Sequence, residues 1–374
     1  MGESMKEISI VMRSLGGGGA EKVLVELLNL IDFKNYSVKL LVLYKEGIYI
    51  NQINKNVKTI YMYDSKKYNQ KILQAVYCRG LMFIYKKFPQ ILHRIYIGKV
   101  DVEIAFLEGE STRFVSMSCS KKSKKIAWVH SNINMYPENF IRNFQIHLSK
   151  FDEIVCVSNQ VREVMEQLYP ETKSKLNVIL NLINTKDIIF KSKEFIEYDI
   201  DEKTIICCGR LVPVKRFDVI IKALSILHQN NIFAKLIILG EGPERENLLT
   251  LIRDLNLVGY VDILGFIPNP YPYIKHSDIF VSCSDYEGYS LALAEALVLG
   301  KVCVSTDCTG PVEMLDNGIY GSIVSQNNPN QLADILSQFL TKENLKKYWE
   351  AKALERSIIF DEEKFMDCFL KVIN

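Results

Sequence analysis

Two glutamates separated by seven residues stand where a predicted strand gives way to a predicted helix. Glu287 falls in the loop after the strand predicted at 278–283, and Glu295 falls within a helix predicted over residues 290–299. Because apolar residues surround Glu295, we expect a buried carboxylate that needs a partner, either a ribose diol or a neighbouring Lys or Arg. Backbone N–H groups at the helix start are placed to hold phosphate oxygens. They belong to Gly288, Tyr289, Ser290 and Leu291.

A pair of cations follows another predicted strand. Residues 209–215 read Gly-Arg-Leu-Val-Pro-Val-Lys and begin directly after the strand predicted at 204–208. Arg210 can bind a phosphate through two parallel hydrogen bonds, and Lys215 adds a compact positive charge. Together they favour stabilisation of a diphosphate without a metal ion. Taken alone, the same pattern also fits an exposed basic turn, which is the commoner case.

Four consecutive glycines, Gly16–Gly19, follow the first predicted strand. Glycine lets the backbone adopt positive φ and pass close to a ligand, so Gly17 and Gly18 are candidate phosphate contacts. The helix predicted over Ala20–Leu30 turns its N–H groups toward the same anion. The dinucleotide fingerprint is absent because Glu21 occupies the position of its third glycine. A flexible surface loop is the alternative interpretation.

Short runs rich in Val and Ile recur along the chain and alternate with helix-like segments. They do not alternate strictly between apolar and polar residues, which predicts strands covered on both faces. Strands of this kind separated by helices form parallel sheets built from βαβ units. The first series comprises residues 8–12, 38–44, 102–106, 125–130, 153–157 and 177–180, and the second comprises residues 204–208, 235–239, 261–264, 278–283 and 302–305.

The length of 374 residues fits two domains, and a polar segment at 184–199 separates the two series of strands as a linker. We therefore predict Rossmann-like α/β domains at 1–183 and 200–355. The last segment, 356–374, contains an amphipathic helix predicted over residues 361–373. Open parallel sheets bind ligands outside the carboxyl ends of their strands, so we expect the two domains to place those ends around a shared central cleft.

Composition argues against several classes of protein. A formal net charge of +2 disfavours wholesale nucleic-acid binding. The start of the chain lacks the pattern of a secretory signal, and no apolar stretch reaches the roughly 18 residues of a membrane span, so we expect a cytoplasmic protein. The nine cysteines include no Cys-x-x-Cys pair and predict buried free thiols rather than a zinc site. No Asp-x-Asp pair ends a predicted strand, so no metal ion or other cofactor is expected.

Residues 65–100 contain eight Lys and Arg residues and no Asp or Glu. Aromatic and aliphatic residues are interleaved with these cations, as in a basic amphipathic helix that contacts an anionic lipid surface or a lipid diphosphate. A solvated basic face and, less favourably, a nucleic-acid contact are the alternatives. We expect peripheral attachment to the inner face of the cell membrane through the first domain. The candidate membrane or acceptor residues are Lys66, Lys67, Lys71, Arg79, Lys86 and Lys87.

Taken in order along the chain, these motifs resemble those of the retaining glycosyltransferases of family 4, of the bacterial polysaccharide and lipid-linked saccharide type. Gly-Glu-Gly-Pro at 240–243 and Thr-Gly-Pro-Val-Glu at 309–313 resemble two further landmarks of that family. The resemblance implies the GT-B fold, with an amino-terminal acceptor domain, a carboxyl-terminal domain that binds the nucleotide sugar, and a final helix that crosses back to the first domain. One departure is the run Leu-Asn-Leu-Ile-Asn at 180–184, where the family often has Pro-Asn-Gly-Ile-Asp.

The resemblance also implies a role for each residue of the main motifs. Arg210 and Lys215 would bind the diphosphate of the donor, and Gly17 would approach the pyrophosphate from the first domain. Glu295 would hold the ribose hydroxyls, and Glu287 would contact the transferred sugar.

Further donor contacts and one histidine come from the same resemblance. The region 265–267 would meet the base, which makes Phe266 and Ile267 donor contacts, and Glu241 lies in one of the landmark motifs. His130, at the end of a predicted strand, resembles the family's histidine near the transferred sugar, and with Glu287 it forms the candidate catalytic pair. A hydrogen-bonded structural histidine is the alternative.

The activity implied by the resemblance is transfer of a hexose or N-acetylhexosamine from a nucleotide sugar, with UDP as the family-level expectation and with retention of configuration. The implied acceptor is a saccharide or a polyprenyl-linked precursor of a surface polysaccharide. No residue is an obvious nucleophile, so we expect front-face attack helped by charge stabilisation on the departing diphosphate. Two alternatives remain open: an epimerase acting on a sugar nucleotide, and a non-catalytic partner subunit that binds one.

Overall fold

The computed structural model describes residues 5–68, 70–118, 120–198, 200 and 203–374, and these form two units. Unit 1 comprises Met1–Leu182 together with Glu363–Asn374, and unit 2 comprises Ile183–Glu362. In each unit, parallel strands form a β-sheet with helices packed against it. The predicted α/β class with two parallel sheets is therefore confirmed.

The strands of unit 1 are β1 (Lys6–Met12), β2 (Tyr36–Tyr44), β3 (Lys58–Tyr63), β4 (Val102–Ala105), β5 (Lys124–Val129), β6 (Glu153–Cys156) and β7 (Leu176–Val178). They pair in parallel in the order β3-β2-β1-β4-β5-β6-β7. From β1 the chain first adds strands on one side of the sheet and then, starting with β4, on the other. Strand order therefore reverses between β1 and β4, which is where open α/β sheets bind ligands.

The helices between these strands are α1 (Gly19–Leu30), α2 (Lys71–Lys87), α3 (Pro89–Tyr96), α4 (Glu110–Ser116), α5 (Glu138–Leu148) and α6 (Asn159–Leu168). They cover strands whose residues are mostly buried; β4 is buried along its whole length. Phe106, Phe114 and Trp128 are among the largest fully buried side chains of the core. Burial on both faces explains why these strands read as continuous apolar runs in the sequence.

A buried polar pair ties α3 to the sheet of unit 1. The Nε2–H group of His93 donates to Glu103 Oε2 at 2.7 Å, and neither side chain is exposed to solvent. Ser118 and Ser123 donate their hydroxyls to the other carboxylate oxygen of Glu103, at 2.7 and 2.5 Å. Burial by itself raises the pKa of Glu103, but the contacts with His93 and the two serines outweigh burial and hold that pKa below its ordinary value. This cluster fixes the position of α3 on β4.

The strands of unit 2 are β8 (Thr204–Cys208), β9 (Lys235–Leu239), β10 (Val261–Gly265), β11 (Ile279–Ser282), β12 (Val302–Thr306) and β13 (Ser322–Val324). They pair in parallel in the order β10-β9-β8-β11-β12-β13. The chain again starts in the middle of the sheet, builds one side and then returns to build the other. The reversal in unit 2 therefore lies between β8 and β11.

The helices of unit 2 are α7 (Thr185–Lys191), α8 (Phe217–Gln229), α9 (Arg245–Asp254), α10 (Tyr271–His276), α11 (Leu291–Val298), α12 (Thr309–Met314), α13 (Pro329–Thr341) and α14 (Glu343–Ser357). Apolar residues of the sheet alternate between two buried clusters, so that Phe280 and Val281 of β11 belong to different clusters. This alternation places helices against both faces of the sheet.

Two edge strands and the linker differ from the sequence prediction. The prediction missed β3, which is half-exposed and mixes polar with apolar residues, and β13, which has three residues. The segment 184–199, predicted as a linker, instead contains α7 and belongs to unit 2, with Ile188 buried in its core. Asn184 caps this helix by accepting the N–H of Asp187 at 2.9 Å. A seven-residue helix is too short to show a clear period; residue 199 lies outside the described residues.

The final helix, α15 (Glu362–Ile373), agrees with the helix predicted over residues 361–373, whereas the first two residues of the predicted segment 356–374 belong to α14. The part of the chain from Glu363 onward groups with unit 1 rather than unit 2. The ring of Phe369 lies 6.1 Å from that of Trp128, and Lys6 Nζ donates to Asn374 Oδ1 at 3.1 Å.

None of the described helices combines the length and the apolar character needed to cross a lipid bilayer. The cysteines of the described chain are all free, and most of them are buried. Cys119 lies outside the described residues. For the remaining cysteines, the prediction of free thiols is confirmed.

Candidate functional site

The loops that follow β8 and β11 meet where the strand order of unit 2 reverses. The first loop carries Arg210 and Lys215, and the second carries Glu287. The backbone N–H of Asp285 donates to the carbonyl oxygen of Val214 at 2.9 Å, which joins the two loops directly. The fold thereby brings together Lys215 and Glu287, which lie 72 residues apart in the sequence.

Lys215 and Glu287 form an ion pair at this junction, through contact of Lys215 Nζ with Glu287 Oε1. The Ser284 hydroxyl donates to the same oxygen at 2.6 Å, and the Ser290 side chain also hydrogen-bonds the carboxylate. The Glu287 side chain is only 9% exposed, whereas that of Lys215 is 28% exposed. A carboxylate buried to this degree requires such compensation. The lysine side of the pair remains accessible to an anion.

The ionisation of Glu287 follows from these contacts. Burial by itself raises the pKa of a carboxyl group. Here the charge of Lys215 and the hydroxyls of Ser284 and Ser290 outweigh burial and hold the pKa of Glu287 below its ordinary value. Glu287 is therefore a carboxylate at neutral pH, able to accept hydrogen bonds but not to donate a proton.

The start of α12 holds the backbone of the Glu287 loop. The N–H of Gly310 donates to the carbonyl oxygen of Glu287 at 3.0 Å, and the hydroxyl of Thr309 donates to the same oxygen at 2.9 Å. The Thr-Gly-Pro-Val-Glu motif at 309–313 therefore positions Glu287 through its backbone.

The loops after β8 and β9 approach each other closely. Leu211 donates its N–H to the carbonyl oxygen of Glu241 at 2.9 Å. A Cβ atom on Gly240 would lie 1.9 Å from the carbonyl oxygen of Gly209, so a side chain at this position forces the loops apart. The Gly-Glu-Gly-Pro motif consequently shapes the loop that carries Arg210.

Other predicted donor contacts of unit 2 differ in their exposure. Arg210 is exposed, and its side chain forms no ion pair with the described part of the chain. Glu241 is also exposed and pairs with Arg245 at 3.1 Å. Phe266 is 47% exposed and Ile267 is half-buried at the edge of the core. The structure therefore leaves Arg210 and Phe266 available for contacts with a ligand.

The residues Gly288–Leu291 lead into α11 as predicted from the sequence, although the helix begins at Leu291 rather than one residue earlier. Ser290 is the N-cap residue, yet its side chain bonds Glu287 instead of capping the helix. Glu295 lies within α11 and is 6% exposed, the buried position that its apolar neighbours indicate. The buried hydroxyl of Tyr289 has no hydrogen-bond partner among the described residues, and burial raises its pKa.

The reversal point of unit 1 carries the glycine loop. Gly17 has a φ of +105°, a conformation that side-chain-bearing residues rarely adopt. α1 begins at Gly19, and its N-cap residue Gly18 has no side chain to cover the first N–H groups. Leu15 braces the loop by donating its N–H to the carbonyl oxygen of Glu46 at 3.0 Å. The positive φ and the helix start predicted from the sequence are both present.

His130 follows β5 and has a neutral ring. Its backbone N–H donates to Glu108 Oε2 at 3.0 Å, and its ring hydrogen-bonds the carbonyl group of Phe106. Nε2 is buried and has no partner within the described chain, so the bond to Phe106 involves Nδ1–H. Burial lowers the pKa of His130 to about 4, against the attraction of Glu108. In the neutral ring, Nε2 is a hydrogen-bond acceptor, and none of the described residues donates to it.

Replacing His130 by glutamine is expected to flatten the dependence of folding stability on pH between about 4 and 6.5. The unfolded chain takes up a proton at the ordinary histidine pKa of about 6.5, whereas folded His130 does so only at about 4. The stability contributed by neutral His130 is complete above pH 6.5 and is lost at about 1.4 kcal/mol per pH unit as the pH falls toward 4. Urea unfolding at several pH values measures this slope. Equal slopes in variant and wild type would contradict the assignment.

Comparison with known proteins shows the family to which this chain belongs. Residues 189–356 match the family model described as Glycosyl transferases group 1. Over 382 residues, which span 99% of this chain and 100% of the relative, the chain is 29% identical to N-acetylgalactosamine-N,N'-diacetylbacillosaminyl-diphospho-undecaprenol 4-alpha-N-acetylgalactosaminyltransferase of Campylobacter jejuni. It is 30% identical to an uncharacterized glycosyltransferase of Methanocaldococcus jannaschii, across 66% of this chain and 71% of that relative. The chain belongs to the group 1 glycosyltransferases.

Solved structures agree with the fold of this glycosyltransferase. The crystal structure of Anabaena HepE in complex with UDP matches it with a TM-score of 0.76, at 17% identity and with 99% of each chain covered. At that identity the likeness shows the fold alone, which is GT-B. The family resemblance of the motifs and the GT-B fold that it implies are confirmed.

The glycosyltransferase also has polar residues in these regions that its motifs did not reveal. Ser284 and Thr309 fix the side chain and the backbone of Glu287. Glu108 is buried after β4 and, besides the contact described above, accepts the Tyr136 hydroxyl at 3.2 Å. An acidic residue in the loop that follows a buried strand is a signal that could have identified Glu108. Hydroxyl residues in loops are too common for their spacing to single out Ser284 or Thr309.

The predicted membrane or acceptor cations lie in and just before α2. All of their side chains are exposed, and none forms an ion pair with a carboxylate in the described chain. Lys67 Nζ lies 4.5 Å from the ring centroid of Tyr77, a cation–π contact. The others are Lys66, Lys71, Arg79, Lys86 and Lys87. These side chains are free to meet an external anion.

Proposed function

We propose that this glycosyltransferase moves a sugar from a nucleotide sugar to a lipid-linked or polysaccharide acceptor, with retention of anomeric configuration. The observation that carries the proposal is the Lys215–Glu287 pair at the reversal point of unit 2. A partly exposed cation can bind the phosphates of a sugar nucleotide, and the ionised carboxylate beside it can accept hydrogen bonds from the sugar hydroxyls.

The donor is proposed to lie across the loops after β8 and β11. The exposed Arg210 side chain and Lys215 bind the diphosphate, and the buried carboxylate of Glu295 holds the ribose hydroxyls. Phe266, exposed after β10, meets the base. Anabaena HepE was crystallised with UDP, which supports a uridine nucleotide for this chain as well.

The proposed chemistry depends on charge rather than on an enzyme nucleophile. As the bond between the anomeric carbon and the diphosphate oxygen breaks, negative charge develops on the departing oxygen, and Arg210 and Lys215 stabilise it. The acceptor hydroxyl attacks the same face of the sugar and loses its proton to the departing phosphate. Glu287 accepts a hydrogen bond from the donor sugar. In unit 1, His130 is neutral, and its Nε2 can accept a hydrogen bond from a sugar hydroxyl.

Catalysis is proposed to need no metal ion. Within the described residues, no group of three or more His, Cys, Asp and Glu side chains is arranged to hold one. The two cations take over the role that a divalent ion has in other transfers from nucleotide diphosphates. Activity that disappears in a chelator and returns with a divalent cation would contradict this part of the proposal.

The acceptor is proposed to be a saccharide carried on a polyprenyl diphosphate at the inner face of the membrane. The Campylobacter jejuni relative is named for transfer of N-acetylgalactosamine to a diphospho-undecaprenol-linked saccharide, which supports an N-acetylhexosamine and a lipid-linked acceptor here. The exposed, unpaired cations of α2 attract an anionic membrane surface. Reversing the charges of Lys71, Arg79 and Lys86 is expected to reduce sedimentation with anionic vesicles, and unchanged sedimentation would remove the electrostatic attachment.

A donor screen tests the proposed function. Thermal unfolding is measured with UDP-, GDP- and ADP-linked sugars, and the best donor is then incubated with and without a lipid-linked saccharide. We expect one class of donor to raise the unfolding midpoint and a glycosylated lipid to form only when the acceptor is present. Product formation from the donor alone, with the nucleotide still attached, identifies an epimerase. Binding without turnover identifies a non-catalytic subunit.

A further inference from the structure

The helix α2 presents apolar residues on two opposite sides. Leu81 and Tyr85 are buried against unit 1. At about 100° per residue, Ile72, Val76 and Phe83 lie within about 40° of one another on the opposite side. Their exposures are 79%, 64% and 58%. A surface helix normally turns polar residues to water, so an outward apolar stripe indicates a further contact.

The next helix, α3, continues this stripe. Ile91 and Ile95 are 51% and 67% exposed, while His93 on the other side is buried. Phe88 joins the two helices, is 51% exposed, and has its ring centroid 6.4 Å from that of Phe83. We define the α2–α3 face as the exposed side chains of Ile72, Val76, Phe83, Phe88, Ile91 and Ile95.

Positive charges border the α2–α3 face. Arg79 and Lys86 flank the stripe of α2, Arg94 lies on α3, and no Asp or Glu occurs between Asp64 and Asp101. In a symmetric dimer through this face, a second copy of the chain would bring the same cations into contact, and residues 65–100 supply no carboxylate to offset them, which opposes self-association. An anionic lipid surface complements the face, because its negative headgroups can pair with the bordering cations and its acyl chains can contact the apolar side chains.

We propose that the α2–α3 face inserts into the acyl-chain boundary of an anionic membrane, with the bordering cations at the headgroups. The inference deepens the membrane attachment of the proposed function, which by itself requires only electrostatic attraction. The contact between His93 and Glu103 fixes α3 on the sheet, so the face is presented on a rigid support. Insertion persists at high salt, because salt screens charge attraction but does not weaken apolar burial.

Sedimentation with vesicles of phosphatidylcholine and phosphatidylglycerol at high salt tests insertion. The face variant carries Ile72→Ser, Val76→Ser and Phe83→Ser. The matched control carries Ile146→Ser, Phe233→Ser and Val258→Ser, whose native side chains are 65%, 56% and 68% exposed. We expect the face variant to lose at least about tenfold in vesicle affinity and the control to bind like the wild type. Equal binding by the face variant and the wild type overturns insertion, as does loss of wild-type binding at high salt.

A tryptophan probe measures the depth of the contact. Phe83→Trp places the probe on the α2–α3 face, and Ile146→Trp places it on α5 at similar exposure. Brominated phospholipids are expected to quench the first probe and not the second. Equal quenching of both, or of neither, overturns the proposal. The proposal is also overturned if the wild type self-associates in sedimentation velocity and the face variant does not. That result would assign the face to a second copy of the chain.

The donor screen separates failure of this inference from failure of the proposed function. The face variant is expected to keep the wild-type thermal shift with the best donor, because the donor residues Arg210, Lys215 and Glu287 belong to unit 2. If no donor raises the unfolding midpoint of the wild type, the proposed function is contradicted, but the vesicle result still tests insertion. If the face variant binds vesicles like the wild type, insertion is contradicted, but the donor result still tests the proposed function.

Discussion

Replacing Lys215 by alanine is expected to lower kcat/KM by a factor of about 100 or more. The substitution removes a cation from the charge that develops on the departing diphosphate. It also deprives Glu287 of its ion-pair partner while burial and the serine hydroxyls remain. Initial rates with the best donor and a lipid-linked acceptor measure the effect. Near-normal turnover in this variant would remove the argument that Lys215 assists the leaving group.

A matched control for this prediction is Lys222→Ala. Lys222 also pairs with a carboxylate of unit 2, Asp218 at 2.8 Å, but its side chain is 43% exposed on α8. We expect it to change kcat/KM by no more than about twofold, since exposed pairs contribute little. Thermal unfolding of Lys215→Ala shows whether the variant remains folded. If both lysine variants lose activity equally, the loss reflects the unit as a whole rather than the phosphate contact.

Replacing His93 by alanine is expected to lower the free energy of unfolding by about 3–5 kcal/mol. The side chains of His93 and Glu103 have no exposed surface, so the substitution leaves a buried carboxylate without its main partner. Ser118 and Ser123 still donate to one oxygen of Glu103, but they carry no charge. Urea unfolding at neutral pH measures the change.

The pH dependence of stability gives a second readout of the same pair. The pKa of Glu103 is lowered in the folded protein, so the stability it contributes is present above the unfolded value of about 4.3 and is lost as the pH falls through the folded value. Without His93, burial dominates and raises that pKa, so we expect acid unfolding of His93→Ala to begin at a higher pH than in the wild type.

The double variant His93→Leu, Glu103→Leu is the control for this cluster. Removing both partners leaves no unpaired charge, so we expect much of the stability lost in His93→Ala to be restored. A double variant as unstable as the single one would mean that the shape of the cluster, rather than its charge, holds α3 on β4.

The pair of Lys215 and Glu287 connects stability with the proposed reaction. Without a bound diphosphate, Lys215 satisfies the buried carboxylate and keeps it ionised. When phosphate oxygens arrive, the same ammonium group has to serve two anions, which its three N–H donors allow. In the proposed reaction, the cation that pairs with Glu287 is therefore already in place for the leaving group, with little reorganisation.

The sequence by itself determined the family and most of the elements that carry the candidate residues. The strands before Gly209 and before Glu287 are buried on both faces, and such strands read as unbroken apolar runs. The glycine at 17 and the run from Gly288 into α11 were predictable because backbone conformation there depends on local residue type. Motif order along the chain then identified the GT-B fold.

Only the tertiary structure decided which of these residues touch. Lys215 and Glu287 are 72 residues apart in the chain, and nothing local relates them before β8 and β11 pair in one sheet. The edge strands β3 and β13 and the short helix α7 escaped prediction because their stability comes from neighbours rather than from their own pattern. The exposed apolar stripe of α2 was also decided by the tertiary structure. The sequence shows that the helix contains apolar residues, but packing against unit 1 decides which of its sides faces water.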